Sequence, residues 1–289
     1  MPVYRYRVVD VFTEHPLEGN PLAVFPDAAS MDDATMQKIA RELNLSETTF
    51  VLPASNQECA ARVRIFTPRK EMLFAGHPTI GTSFVLLDEG MVPKGCESFV
   101  LEEKIGPVPI RVESGMIWLT TPPIHEGRTF DSALCARALG LDATEILGPA
   151  PQLLSAGNPN LFVALKDKAS VDKADLELAG ARSLREPGEE AFCVFVFAPV
   201  ANGAYSRMFA PEFGVVEDPA TGSATGPLGL YMMRHRLVSG ADGSQFVSEQ
   251  GTSMGRRSFL HVQVRGEQGA AGIDVGGHVT PLVEATMTL

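Results

Sequence analysis

His77 and Asp218 are the two titratable residues around which this sequence reads as chemistry. His77 opens His77-Pro78-Thr79-Ile80-Gly81-Thr82-Ser83, and Asp218 opens Asp218-Pro219-Ala220-Thr221-Gly222-Ser223-Ala224, each followed by an apolar run. Their offset, 218 − 77 = 141, is close to half of the 289 residues, which predicts an internal duplication. Each copy reads as a turn into a helix, whose first N–H groups lack intrahelical acceptors and carry the positive end of the helix dipole. Such an end binds anions. Gly81 and Gly222 permit close backbone approach, and Thr82 and Ser223 supply hydroxyls that either cap a helix or donate to a ligand. Two of these ends are expected to hold a small carboxylate between a histidine and an aspartate. A histidine beside a helix N-terminus stays neutral and able to share protons; the competing reading is a buried histidine bonded to backbone. Asp218 either orients an amine or hydroxyl of the ligand or caps the helix after it.

Glu47, following Ser46, is the third candidate. It stands where a helix ends and a β-rich run, Thr48-Thr49-Phe50-Val51-Leu52, begins. On the lip of a buried cleft, desolvation raises a carboxyl's pKa and lets it act as acid and base near neutrality. At an ordinary strand edge it does neither, and position alone favours that plainer reading. Other familiar sites are missing. Gly76 to Ser83 has the glycine spacing of a phosphate loop, but Thr82 stands in place of the lysine. Residues 222–226 are not a nucleophile elbow. No dinucleotide fingerprint and no metal-binding cluster is present, so a reaction without cofactor or metal is expected. Cys59, Cys96, Cys135 and Cys193 are scattered and read as free thiols. Histidines 15, 125, 235, 261 and 278 read as structural or surface residues.

These residues need elements to hold them. Gly19-Asn20-Pro21 recurs as Gly157-Asn158-Pro159, and Phe66-Thr67-Pro68 as Phe209-Ala210-Pro211, so two similar halves are expected. In the first half, strands are expected over 4–12, 21–25, 61–66, 97–101, 108–113 and 117–120. A helix starting at a Ser30 cap ends near Asn44, and an apolar, hence buried, helix spans about 79–87. In the second half a short helix over 131–139 stops at Gly140, and strands occupy 161–165, 192–198, 205–209, 246–248, 259–264, 273–275 and 279–284. Pro227 is expected in the first turn of the second buried helix. The fold class is α+β. The halves are expected at 1–121, joined by a returning strand at about 279–289, and 122–278. A net charge of −11, with 45% hydrophobic and 20% charged residues, suits a globular chain that repels nucleic acid and anionic membranes. No apolar stretch approaches the ~20 residues of a spanning helix, and a cytoplasmic location is expected.

Asn44-Leu45-Ser46-Glu47-Thr48, Phe74-Ala75-Gly76-His77-Pro78-Thr79, Phe209-Ala210-Pro211, Glu217 to Ala224 and Gln250-Gly251-Thr252-Ser253-Met254-Gly255-Arg256 together closely resemble the PhzF family of phenazine biosynthesis proteins. The resemblance spans nearly the whole chain. It implies a diaminopimelate epimerase-like fold, two pseudo-symmetric halves each with a central helix inside a curved, mostly antiparallel sheet, with the active site in the cleft between them. It also implies a cofactor-independent isomerase, of the type that shifts a proton in trans-2,3-dihydro-3-hydroxyanthranilate, working as a homodimer. By motif the acid/base glutamate falls on Glu47, the assisting histidine on His77 and the substrate-orienting aspartate on Asp218. Ser46, Gly76, Gly222 and Ser223 are the expected substrate contacts. Two other readings stay open: an amino-acid racemase or epimerase, and a non-catalytic binding protein that keeps the fold.

Overall fold

The computed structural model describes residues 1–289 as two compact units, Met1–Thr120 with Val275–Leu289, and Thr121–Asp274. The first unit runs β1 (Val3–Val11), β2 (Asn20–Phe25), α1 (Asp33–Leu43), β3 (Glu47–Leu52), β4 (Ala61–Phe66), β5 (Glu71–Met72), α2 (Gly76–Asp88), β6 (Ser98–Glu103), β7 (Gly106–Glu113) and β8 (Met116–Thr120). The second runs β9 (His125–Thr129), α3 (Ser132–Ala138), β10 (Gln152–Ser155), β11 (Pro159–Ala164), α4 (Lys168–Lys173), α5 (Leu178–Ser183), β12 (Cys193–Val200), β13 (Gly203–Ala210), β14 (Val215–Asp218), α6 (Gly222–Arg234), β15 (Gln245–Gln250), β16 (Ser258–Arg265) and β17 (Gly272–Gly277). The chain ends in β18 (Val279–Thr288), antiparallel to β1.

The duplication is plain in the pairing. In the first unit β2 is parallel to β3, β3 antiparallel to β4, β4 antiparallel to β5 and parallel to β6, and β6 antiparallel to β7. In the second, β11, β12, β13, β14, β15 and β16 repeat that scheme in the same order. β10 lies between β9 and β11 as β1 lies between β18 and β2. The fold is the expected α+β class: mixed, mostly antiparallel sheet around one buried helix per unit. α2 packs against β1, β2, β3, β4, β8 and β18, and α6 against β10, β11 and β16.

Local chemistry sets the elements of the first unit. Gly19 (φ +67°) makes the turn between β1 and β2, where a Cβ would sit 2.4 Å from the Val11 carbonyl oxygen, so only glycine fits there. The cap of α1 is Asp32, whose carboxylate accepts the Thr35 N–H at 2.7 Å. The helix starts at Asp33, which leaves Ser30 too far upstream to cap it. Asn44 ends it in the left-handed conformation (φ 51°). Side chains alternate across β3: Phe50 packs with Phe25 and Phe66 beneath α1, while Thr49 turns to α2 and its hydroxyl meets that of Thr82 at 2.8 Å. Glu47, two residues before Thr49, shares the α2 face.

The helix starts differ from the expectation. α2 begins at Gly76, not near Thr79, so His77 and Pro78 are its second and third residues. Both central helices are thirteen residues long, and Gly76 and Gly222 open them. The copies are therefore related by 222 − 76 = 146 residues rather than 141. A side-chain contact within the first turn keeps that offset at both ends, and an ion pair below it keeps the offset at its glutamate while its arginine is shifted by 207 − 64 = 143. Thr79 Oγ1 donates to the Ala75 carbonyl at 2.8 Å, as Thr225 Oγ1 does to Thr221 at 3.0 Å. Arg64 binds Glu71 at 2.7 Å beneath the entry to α2, as Arg207 binds Glu217 at 2.8 Å beneath the entry to α6. The partner of His77 in the repeat is Ser223. Gly81 and Thr82 consequently lie inside α2, buried and past its first turn. A Cβ on Gly81 would come within 2.6 Å of Leu22 Cδ2 and 2.8 Å of Val11 Cγ2, so glycine there serves close packing. Pro227 is the sixth residue of α6, past the first turn, and leaves the Ser223 carbonyl without its helical donor.

Candidate active site

In the first unit three polar side chains converge where α2 starts. Asn20 opens β2 and is fully buried. Glu47 opens β3, whose register sets it beside Leu22, two residues from Asn20. His77 reaches both from the first turn of α2: Nδ1 lies 3.2 Å from Asn20 Nδ2, and Nε2 lies 3.3 Å from Glu47 Oε2. His77 keeps 5% of its side chain exposed and Glu47 16%. Burial pushes the His77 pKa down to about 3, because the imidazolium loses its hydration. His77 is a neutral imidazole at physiological pH. Glu47 retains an opening to solvent and stands against a proton-sharing ring. Ser46 precedes it at the exit from α1, half-buried. Gly76, buried, presents its amide at the first position of α2.

The second unit builds its group on the turn between β14 and α6. Asp218 ends β14 and is 6% exposed; its Oδ2 accepts the Thr221 hydroxyl at 2.5 Å. Gln250, at the end of β15 and fully buried, ties the turn together. Its Oε1 accepts the Thr221 N–H at 3.1 Å, and its Nε2 donates to the Asp218 carbonyl at 2.8 Å and lies 3.0 Å from Thr221 Oγ1. Asp218 thus neither caps α6 by its carboxylate nor bonds Ser223; Thr221 is the residue between strand and helix. Gly222 and Ser223 are the first two residues of α6, so their amides lack intrahelical acceptors. Ser223 is 7% exposed. A hydroxyl and two amides at the positive end of a helix are donors suited to an anion.

Gly251, next to Gln250, has φ +76°, and a Cβ there would lie 2.3 Å from the Arg256 carbonyl oxygen and 2.6 Å from that of Pro219. Gly251→Ala must therefore push backbone away from the Asp218 turn. We expect it to lower the unfolding free energy by about 2 kcal/mol, the left-handed cost alone being roughly 1–2 kcal/mol. Urea denaturation measures this, and an unchanged midpoint refutes the packing argument.

Two amide side chains in these groups have no role in the sequence reading. Asn20 was visible only as part of the repeated Gly-Asn-Pro, and Gln250 only as the first residue of a motif. The signal that marks them is burial of an amide beside an ionisable neighbour, which needs the fold. The residues hold no group of three or more His, Cys, Asp or Glu side chains suited to a metal, and no helix is long and apolar enough to cross a membrane.

A family model described as phenazine biosynthesis-like protein (PhzC-PhzF) matches residues 9–285. A trans-2,3-dihydro-3-hydroxyanthranilate isomerase of Pseudomonas aeruginosa is 35% identical over 294 residues, with 98% of each chain covered. An uncharacterised isomerase of Mesorhizobium japonicum is 36% identical, with 99% of each covered. Among solved structures, a predicted epimerase from Pseudomonas aeruginosa aligns with a TM-score of 0.83 at 34% identity, over 99% of each chain. A hydroxyproline epimerase from Agrobacterium vitis shares the fold alone, with a TM-score of 0.65 at 15% identity, over 99% of this chain and 93% of that one.

Proposed function

Because the chain belongs to the phenazine biosynthesis-like protein family and is an isomerase of the PhzF type, we propose that it shifts a proton within a small cyclic amino or hydroxy acid without a cofactor. Trans-2,3-dihydro-3-hydroxyanthranilate, on which the relative from Pseudomonas aeruginosa acts by name, is the first substrate to test. The observation that carries the reading is the Glu47–His77 pair, 3.3 Å apart on the inner face of the first sheet, with the histidine held neutral.

Glu47, as carboxylate, removes a C–H proton and returns it to another carbon on the same face, giving an enol that relaxes to the ketone. One carboxyl serving as base and then acid suits such a suprafacial shift. The Ser223 hydroxyl and the amides of Gly222 and Ser223 suit the substrate carboxylate, with the Gly76 amide and Ser46 as further contacts. Asp218, held by Thr221 and Gln250, suits the amine or hydroxyl. A racemase built on two thiols is disfavoured, since none of Cys59, Cys96, Cys135 and Cys193 lies in α2, α6 or the turns into them. The assembly proposed is a cytoplasmic homodimer.

Incubation with trans-2,3-dihydro-3-hydroxyanthranilate in deuterated water, followed by NMR, tests the assignment. The expected result is deuterium at the carbon that receives the proton. No turnover of this compound removes the substrate assignment, and exchange only at the α-carbon of amino acids favours the racemase reading.

A further inference from the structure

Asn20 is fully buried at the start of β2, opposite Val11, and the Gly19 turn delivers it there. Its Nδ2 faces His77 Nδ1 at 3.2 Å. An amide nitrogen only donates, so this contact makes Nδ1 the acceptor and leaves the ring proton on Nε2. Nε2 in turn lies 3.3 Å from Glu47 Oε2, in ion-pair range but outside hydrogen-bond geometry, so that Nε2 is buried without a hydrogen bond in this state. The other neutral tautomer would oppose an N–H to the amide NH2 and a lone pair to a carboxylate oxygen; turning the Asn20 amide over relieves the first repulsion but not the second.

We propose that Asn20 is a positioning residue that fixes His77 as the Nε2–H tautomer, which makes the histidine a hydrogen-bond donor to Glu47 and leaves Glu47 the sole proton carrier. The proposal deepens the isomerase reading and rests on it for its catalytic consequence. A ring donating to Glu47 holds the carboxylate oriented and ionised between turnovers, and it cannot take the substrate proton itself. The second nitrogen of a histidine commonly sets what the first can do; in a serine protease triad, imposing the wrong tautomer drops kcat by about 10⁴.

The test is 15N–1H NMR of the imidazole rings in the protein without substrate, with His77 assigned by the signal lost in His77→Gln. The expected spectrum at pH 7 shows His77 neutral, protonated on Nε2 and bare on Nδ1. Asn20→Asp keeps the shape but turns the donor into an acceptor. It should move the proton to Nδ1 or create the imidazolium, and lower kcat at least tenfold with KM little changed. A merely structural Asn20 would tolerate this near-isosteric change with tautomer and kcat intact, and that result overturns the proposal. Nδ1–H or imidazolium in the parent overturns it as well, even should the variant fail to fold. Because the spectrum needs no substrate, a wrong substrate shows separately, as the expected tautomer in a protein that does not turn the compound over.

Discussion

Glu47→Gln is expected to lower kcat by about 10³-fold with little change in KM, general acid–base groups contributing typically ~10²–10⁴. Glutamine keeps the size and can still contact His77 Nε2, so the fold and the pocket shape survive while the proton carrier is lost. A factor of about 10³ corresponds to roughly 4 kcal/mol of transition-state stabilisation. One group can carry that much because Glu47 stands 3.3 Å from His77 and keeps 16% of its side chain exposed, within reach of a substrate. Turnover followed by NMR in deuterated water, with circular dichroism to check folding, measures it. A variant that keeps a tenth or more of the parental kcat would transfer the proton chemistry elsewhere and sink the Glu47 assignment.

What the sequence carried reliably was hydrophobic pattern and turn chemistry. The alternation of Tyr4 to Phe12, the run from Ala61 to Phe66 and the all-apolar character of the helix after His77 appear as β1, β4 and the buried α2. Elements without such a pattern escaped: β9 is His125-Glu126-Gly127-Arg128-Thr129, polar and largely exposed, and α4 and α5 are six residues each, too short to show a period. The register of the repeat failed for a physical reason. His77-Pro78 and Asp218-Pro219 look alike as letters, but proline is equally at home in the first turn of a helix and in the turn before one. Pro78 takes the first place and Pro219 the second. The candidate site was legible to the extent that Glu47 and His77 do meet. The tautomer of His77 was not, because it depends on Asn20, which lies 57 residues away in sequence.

Glu103 shows the same dependence on the fold and yields the largest expected effect on stability. It ends β6 in the first unit, 5% exposed. The Thr79 hydroxyl lies 2.5 Å from its Oε1 and 2.8 Å from the Ala75 carbonyl, while its Oε2 is buried without a hydrogen bond. One hydroxyl proton cannot serve two acceptors. If Thr79 donates to Ala75, Glu103 must be the donor to Thr79, hence protonated. Burial agrees, pushing the carboxyl up to about 8. A pKa raised on folding means the native state binds a proton that the unfolded chain has released. The contribution is therefore fully present below the ordinary carboxylate range, near 4.5, and is lost as pH rises through about 8. Between those limits stability falls by up to roughly 1.4 kcal/mol per pH unit. Glu103→Gln, which has no proton to lose, should match the parent near pH 4.5 and exceed it by a few kcal/mol at pH 8–9. Denaturant midpoints of both proteins from pH 4.5 to 9 decide the matter. Parallel curves mean that Glu103 is ionised in the native protein, and that the start of α2, with His77 on it, is held by a charged carboxylate instead of a neutral acid.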